Sequence, residues 1–99
     1  MKPYITRAAP KLAKILFENP EVRVIMITTK KGGKIGPHSY LKGITFNLDP
    51  AKIRATETDG SSTVVKMKKG EASWTDAGES LGVENLGADF SVLSVELKD

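Results

Sequence analysis

The chain has 99 residues, of which 39% are hydrophobic and 27% charged, and its formal net charge is +3. This length suits one domain with one hydrophobic core, and the composition is that of an ordinary soluble globular protein. The absence of cysteine excludes disulfides and thiolate metal sites, and it fits a reducing cytoplasm, where we expect the protein to reside. No apolar run approaches the ~20 residues of a transmembrane helix. Lys14 interrupts the apolar stretch near the N-terminus, so we predict neither a membrane span nor a signal peptide.

The basic residues do not form the pattern of a nucleic-acid-binding surface. Six of the twelve lysines lie in two short groups, 30–34 and 66–69, each beside a glycine, and the arginines are only Arg7, Arg23 and Arg54. A nucleic-acid footprint is normally denser and is interleaved with aromatic residues or arginines. We therefore interpret these lysines as solvated strand ends and turns, and we expect no nucleic-acid partner.

The first element that the sequence predicts is a short amphipathic helix from Pro10 to Asn19. Proline is favoured at the first helical position, and Leu12, Ile15 and Leu16 follow at helical spacing opposite two lysines. The proline after Asn19 predicts the end of the helix, because the residue before a proline resists the α conformation.

After residue 20 the apolar period changes to two, which is typical of β-strands. In the segment 22–29 both the even-numbered and the odd-numbered residues are largely apolar, which predicts a strand buried against more than one layer. Two later strands each place three apolar residues on one face: Ile44, Phe46 and Leu48 in the first, and Leu93, Val95 and Leu97 in the second.

Turn signals separate the remaining strands. Asp59-Gly60 predicts a hairpin, and Lys69-Gly70 predicts a turn into the next strand. About seven short strands at regular spacing favour an antiparallel sandwich or barrel. We predict one domain over residues 1–99, with an N-terminal helical arm over 1–20 and a β-barrel over 21–98.

The order of these motifs resembles that of the small single-domain bacterial cupins, which are jelly-roll proteins of about this length. "ENPEVRVIMITTKKGGKIGPHSY" looks like the entry strand and first motif of that family, and "GEASWTDAGESLGVENLG" looks like the second motif. "DGSSTVVKMKKGE" is similar to the hairpin between the motifs, and "FSVLSVELK" to the last strand. The resemblance runs from Leu16 to Lys98. It implies an all-β double-stranded β-helix, to which we add the short N-terminal helix.

The resemblance also implies a divalent transition-metal site near one mouth of the barrel, where histidines and a carboxylate meet. In the first motif, Gly32 and His38 match the opening glycine and the first histidine, but Tyr40 stands at the second histidine position. The carboxylate position falls on Ile44 or Thr45, neither of which is acidic.

The second motif departs from the family pattern in the same way. Gly70, Gly78 and Asn85 stand at the expected spacing, but Asp76 replaces the proline and Leu81 replaces the histidine. His38 is therefore the one nitrogen ligand that remains.

A single imidazole does not hold a divalent ion tightly, because stable sites supply three or four ligands. We therefore expect no metal and no other cofactor. Glu79 and Glu84 lie near Leu81 in the sequence, so a site with a displaced carboxylate is the alternative.

Two functions follow from the resemblance. We prefer a metal-free binding or interaction module, which takes an apolar or weakly polar small molecule in a pocket lined by His38, Tyr40, Phe46, Trp74 and Leu81. The alternative is an enzyme of the isomerase, dioxygenase or decarboxylase type with a reduced metal site. In it His38 acts as acid or base and Tyr40 as its hydrogen-bond partner.

The resemblance further implies a homodimer in which the N-terminal segment packs on the neighbouring chain. The apolar face of Leu12, Ile15 and Leu16 suits that contact. We expect deletion of residues 1–18 to disturb such a dimer.

Overall fold

The computed structural model describes residues 2–98, and most of them lie in β-strands. One short helix, α1 (Ile5–Ala8), precedes the strands, and no helix within the described residues has the length and apolarity to cross a membrane. The strands are β1 (Ala13–Glu18), β2 (Val22–Thr29), β3 (Lys34–Ile35), β4 (His38–Tyr40), β5 (Gly43–Asn47), β6 (Ala51–Thr56), β7 (Ser62–Met67), β8 (Ala72–Thr75), β9 (Gly78–Ser80), β10 (Gly82–Asn85) and β11 (Phe90–Leu97).

The strands form two larger sheets and one short pair. The larger sheet has five strands in the order β1-β2-β11-β5-β8, and the other has four in the order β3-β10-β6-β7. Strands β4 and β9 pair with each other, and all the strand pairings are antiparallel. The prediction of an antiparallel all-β fold with a short helix is thus confirmed. The predicted number, about seven strands, is lower than the observed number because β3, β4, β9 and β10 are too short to show an alternating pattern.

Two apolar clusters hold the sheets together. In the first, Ile25 of β2 is fully buried with Ile5 of α1 and Ile35 of β3. The second joins Ala51 of β6 to Phe90 and Val92 of β11. Each cluster contains residues from both larger sheets, so burial of these side chains stabilises the packing of one sheet on the other.

Both predicted turns are confirmed. β6 pairs with β7 in a hairpin whose loop contains Asp59 and Gly60, and Gly60 has a φ of 89°. Gly70, between β7 and β8, has a φ of 81°. These values lie in the left-handed region, which glycine occupies without the steric cost that a Cβ would bring.

The helix predicted from Pro10 to Asn19 is wrong in position. Residues 13–18 form strand β1 on the edge of the five-stranded sheet, and the only helix in the described chain is the single turn at Ile5–Ala8. A short apolar run fits either period. Pairing with the edge of β2 gives its backbone hydrogen-bond partners, whereas an isolated helix of this length is only marginally stable in water. The arm over residues 1–20 is therefore a helical turn followed by a strand.

Candidate functional site

A cavity of about 340 Å³ lies between the two larger sheets and extends to β4. Apolar side chains form much of its wall, among them Ile27, Ile53, Met67, Phe90 and Val92. The polar groups that reach it include His38, Tyr40, Thr45, Glu57, Ser80 and Glu96. Ser73 and Thr75 of β8 also line the cavity and are exposed, so the cavity opens to solvent beside that strand.

His38 stands on β4 opposite Ser80 of β9, and it is only 6% exposed. Its Nδ1 lies 2.9 Å from the carbonyl oxygen of Gly36. A carbonyl only accepts hydrogen bonds, so Nδ1 carries the proton and donates it. In the neutral imidazole the lone pair is therefore on Nε2, which is the atom free to accept a hydrogen bond from a ligand or to receive a proton.

Tyr40 shares the cavity with His38, because side chains two apart on a strand point to the same face. Their ring centroids are 6.2 Å apart and the rings are tilted by 56°. Gly78 pairs with Tyr40 across β4 and β9, and a Cβ at that glycine would lie 3.0 Å from the Tyr40 hydroxyl. The glycine therefore makes the room that the phenol occupies.

A buried ion pair closes another part of the cavity, and sequence reasoning did not find it. Glu96 of β11 lines the cavity and is 3% exposed. Its Oε1 lies 3.1 Å from Nε of Arg23 on β2, and its Oε2 accepts a hydrogen bond of 3.3 Å from the backbone N–H of Leu41. The Arg23 guanidinium also lies 5.7 Å from the centroid of the Tyr4 ring. Both carboxylate oxygens of Glu96 thus have partners within the protein.

A weak signal for Glu96 was present in the sequence. Phe90, Val92, Ser94 and Glu96 alternate along β11, and all four line the cavity. The other alternating set of that strand, which contains Leu93 and Val95, is more apolar. Hydrophobicity alone therefore predicts that this set, and not the set with Glu96, faces the interior.

Three residues predicted for the pocket lie elsewhere. Phe46 and Trp74 are exposed on the outer face of the five-stranded sheet, where the Trp74 indole donates a hydrogen bond of 2.9 Å to Asp76. Leu81 lies in a separate hollow of about 300 Å³ beside β3 and β10. On β5 the inward residues are Gly43 and Thr45, so alternation turns Phe46 outward. Of the predicted set, the structure brings together only His38 and Tyr40.

The donor groups around His38 do not fit a metal ion. Within residues 2–98, no three side chains of histidine, aspartate or glutamate come together in a way that could hold one. Glu79 pairs with Ser39, one residue from His38, and so points to the opposite face of the short sheet. Glu84 forms a 3.1 Å ion pair with Arg54 at the outer surface. Neither displaced carboxylate lines the cavity with His38.

Glu79 instead fastens the N-terminal segment to β4. Its Oε2 accepts a hydrogen bond of 3.2 Å from the backbone N–H of Lys2, and the Ser39 hydroxyl donates to the Lys2 carbonyl at 2.7 Å. The Lys2 N–H, the Lys2 ammonium group and the Ser39 hydroxyl together hold the pKa of Glu79 below its ordinary value. This attachment positions α1, whose Ile5 side chain lines the cavity.

Comparison with known proteins gives a consistent result for the fold. No protein-family model matches the chain, and no curated protein matches it. A cupin domain from Bordetella pertussis Tohama I has a TM-score of 0.82 and 17% identity, with 100% of this chain and 98% of that chain covered. A cupin superfamily protein from Desulfitobacterium hafniense DCB-2 has a TM-score of 0.67 and 13% identity, over 89% of this chain and 77% of its own.

A third similar structure is an RmlC-like cupin from Shewanella frigidimarina NCIMB 400. Its TM-score is 0.61 and its identity 14%, over 88% of this chain and 75% of that one. The chain has the double-stranded β-helix fold of a small cupin.

Proposed function

We propose that this cupin-like protein is a non-catalytic binding module, which takes a small, mainly apolar molecule into the cavity between its sheets. The observation that carries the proposal is the cavity itself: about 340 Å³, mainly apolar, with His38 and Tyr40 side by side at its wall. Ligand sites in proteins are typically concave, mostly apolar and about 300–1,000 Å³, with a few polar groups that fix orientation. This volume therefore suits a small ligand.

The polar groups of the cavity wall determine which functional group a ligand needs. In the neutral form of the His38 ring, Nε2 accepts a hydrogen bond, whereas the Tyr40 hydroxyl both donates and accepts. Glu96 is already engaged by Arg23 and by the Leu41 N–H, so it does not need a cationic ligand. We infer an aromatic or aliphatic ligand with one hydroxyl or N–H group directed at His38. A cytoplasmic location belongs to the same proposal, because the chain has no cysteine.

The test uses indole and phenol as probes, since each combines an apolar ring with a single N–H or O–H donor. Binding is followed in two-dimensional amide NMR spectra. We expect shifts at Thr45, Val92 and Thr75, which line the cavity, and none at Val64 on the outer side of β7. If both probes leave the cavity amides unchanged at millimolar concentration, the proposal is wrong.

A matched pair of substitutions locates the site. Ser94→Leu adds three carbon atoms to the cavity wall, whereas Ser62→Leu makes the same change on the exposed strand β7. We expect Ser94→Leu to weaken binding at least ~10-fold, because it fills the space that the probe needs. Ser62→Leu should leave the affinity unchanged. Equal affinities for the two variants would place the probe outside the cavity.

The alternative, an enzyme of the cupin type, rests on the same two residues. His38 with a free Nε2 beside Tyr40 is a pair that could move a proton within the cavity. His38→Gln keeps a hydrogen-bonding side chain but abolishes proton transfer by the ring. If a bound molecule is converted by the natural protein and not by His38→Gln, the enzyme reading replaces the binding module.

A further inference from the structure

Three hydroxyl side chains stand side by side on the wall that the five-stranded sheet gives to the cavity. Ser94 of β11 is the register partner of Thr45 on β5, and Thr45 is the register partner of Ser73 on β8. All three residues line the cavity. Because neighbouring strands are spaced by ~4.8 Å, the three side chains form a line about 10 Å long. We call these three residues the hydroxyl row.

The hydroxyl row runs from the core of the protein to the opening of the cavity. On its inner side, Ser94 is the register partner of Ile25, which is fully buried. Thr45 is half-buried, and Ser73 is exposed on the edge strand β8, where the cavity opens to solvent. A molecule that enters the cavity beside β8 therefore passes along these hydroxyl groups.

The hydroxyl groups of the row have no partner in the protein. None of the three forms a hydrogen bond with another group of residues 2–98. Thr28 and Ser91 make a useful comparison, because they face each other across β2 and β11 on the opposite side of the same sheet. Their hydroxyl oxygens lie 2.9 Å apart and share a hydrogen bond. Each hydroxyl of the row can instead both donate to and accept from a ligand.

The wall opposite the row has a different chemical character. Within residues 2–98, the four-stranded sheet contributes only apolar side chains to the cavity, namely Ile35, Ile53, Ala55, Met67 and Val83. A ligand between the two sheets therefore contacts apolar groups on one side and hydroxyl groups on the other. A polar group without a hydrogen-bond partner is unfavourable in such surroundings, so a ligand that bonds to the row gains affinity over one that does not.

The charges of the cavity wall restrict the ligand further. Two acidic residues line the cavity, Glu57 and Glu96, and no lysine or arginine within residues 2–98 does so. Arg23 pairs with Glu96 but is not among the lining residues. An anionic group on the ligand would thus meet carboxylates and no cation, which is unfavourable. The polar groups that suit the row are neutral ones.

We propose that the hydroxyl row is a second polar anchor of the ligand site, and that the ligand is a neutral, elongated molecule with a hydroxyl group at each end. This inference rests on the proposed binding of a small molecule beside His38. One hydroxyl donates to Nε2 of His38 on β4, and the apolar middle of the ligand packs on the four-stranded sheet. The second hydroxyl bonds to the row. A site built to bond a hydroxyl group discriminates against an analogue that lacks it.

Two probes that differ by one hydroxyl group test the second anchor. They are para-propylphenol and dihydro-para-coumaryl alcohol, which is the same phenol with a hydroxyl at the end of the propyl chain. Isothermal titration calorimetry measures both affinities, and their ratio is compared between proteins. We expect the ratio to favour the alcohol about 5-fold more in the natural protein than in a variant without the row, as for one net hydrogen bond.

The variant combines Ser94→Ala, Thr45→Val and Ser73→Ala, which remove the three hydroxyl groups and nearly preserve the shape of the wall. The matched control combines Thr28→Val with Ser91→Ala, which removes the hydroxyl pair on the opposite side of the sheet and should leave the ratio unchanged. If the triple variant does not give a folded circular dichroism spectrum, Thr45→Val alone takes its place. Phloretate, which carries a carboxylate at the end of the chain, should bind the natural protein more weakly than the alcohol.

Nuclear Overhauser effects give a readout that needs no substitution. In the complex with the alcohol, we expect contacts between the Thr45 methyl group and the methylene beside the alcohol oxygen. If the ratio is the same in the natural protein and in the row variant, or if that methylene contacts residues away from the row, the second anchor is wrong. Tighter binding of phloretate than of the alcohol would overturn the neutral ligand class. If para-propylphenol itself does not bind in the cavity, the proposed function fails, and the second anchor fails with it.

Discussion

Nε of Arg23 on β2 lies 3.1 Å from Oε1 of Glu96 on β11, in a pair whose carboxylate is almost completely buried. Residues 23 and 96 are direct neighbours across the two strands. Arg54 and Glu84 form a pair of the same 3.1 Å length on β6 and β10, but both of their side chains are at least one-third exposed. The two ion pairs therefore have the same length but differ in burial, so comparing them shows what burial contributes to stability.

Arg23→Met should destabilise the protein by about 3 kcal/mol or more, because it leaves the buried charge of Glu96 without its partner. Arg54→Met should cost less than about 1 kcal/mol, since water replaces the lost partner at an exposed site. Urea denaturation followed by circular dichroism measures both. Adding Glu96→Gln to Arg23→Met should restore part of the loss, because the unpaired charge is then gone. Equal losses for the two arginine variants would refute this account of the pair.

Gly43→Ala should destabilise the protein strongly. A Cβ at Gly43 would lie 1.9 Å from the carbonyl oxygen of Val95 on the neighbouring strand, so β5 and β11 would have to separate. Overpacking of this kind costs about 3 kcal/mol. Gly36→Ala is the control, because nothing lies within 4 Å of its added Cβ, and we expect its free energy of unfolding to be unchanged or slightly higher. Thermal melting distinguishes the two, and a Gly43→Ala variant as stable as Gly36→Ala would contradict the prediction.

Asn85→Asp should also destabilise the protein, because the side-chain amide of Asn85 donates to three backbone carbonyls. The acceptors are those of Thr29, Lys30 and Ala88, at 3.3, 3.0 and 3.0 Å, and Asn85 is only 1% exposed. A carboxylate would face these oxygens without a proton to donate, which costs about 3 kcal/mol at neutral pH.

Asn19→Asp provides the control for that substitution. The Oδ1 atom of Asn19 accepts hydrogen bonds from two backbone N–H groups, those of Glu21 and Val22, in an exposed turn. Aspartate keeps that acceptor, so the urea midpoint should stay within experimental error of the natural protein. An Asn85→Asp variant with an equally unchanged midpoint would show that the buried amide does not hold this loop.

Protonation of Glu79 should make the protein less stable in acid. Its pKa is lowered in the folded state by the Lys2 N–H, the Lys2 charge and the Ser39 hydroxyl, from an ordinary value of 4.5. A lowered folded pKa means that the stabilisation is fully present above pH 4.5 and is lost as the pH falls through the folded pKa.

Glu79→Gln removes this titration, so the difference between the urea midpoints at pH 7 and pH 3 should be smaller than in the natural protein. Glu18 and Asp59, whose pKa values are also lowered, would retain the remaining pH dependence: Glu18 through Lys98 and Asp59 through Ser61. An unchanged difference in Glu79→Gln would show that the attachment of the N-terminal segment does not contribute to acid sensitivity.

The sequence predicted the features that depend on neighbouring residues. Asp59-Gly60 and Gly70 are turns because only glycine adopts their positive φ values without strain. Asn85 stands at the expected spacing of the second motif, and its side-chain amide donates to the backbone carbonyls of Thr29, Lys30 and Ala88. His38 and Tyr40 lie together at the cavity because the two-residue period of a strand allows no other arrangement.

The prediction of which side chains face the interior was wrong where both faces of a strand are apolar. Phe46 and Trp74 were expected to line the pocket, and the structure turns them outward. Hydrophobicity identifies the buried face only when the other face is polar, and here the outer face is the more apolar of the two. The same ambiguity made β1 resemble a helix.

The amino-acid sequence by itself determined the turns, the alternation of the longer strands after residue 20 and the shortage of metal-binding side chains in the two cupin-like motifs. Only the tertiary structure decided which side of each strand faces the cavity, and it alone joined Arg23 to Glu96 and Lys2 to Glu79. The physical reason is distance along the chain. Local preferences act over a few residues, whereas the residues of these pairs are separated by more than seventy positions. Arg23 and Glu96 meet only when the antiparallel register of β2 and β11 is set, and Lys2 meets Glu79 only when the N-terminal segment packs beside β4.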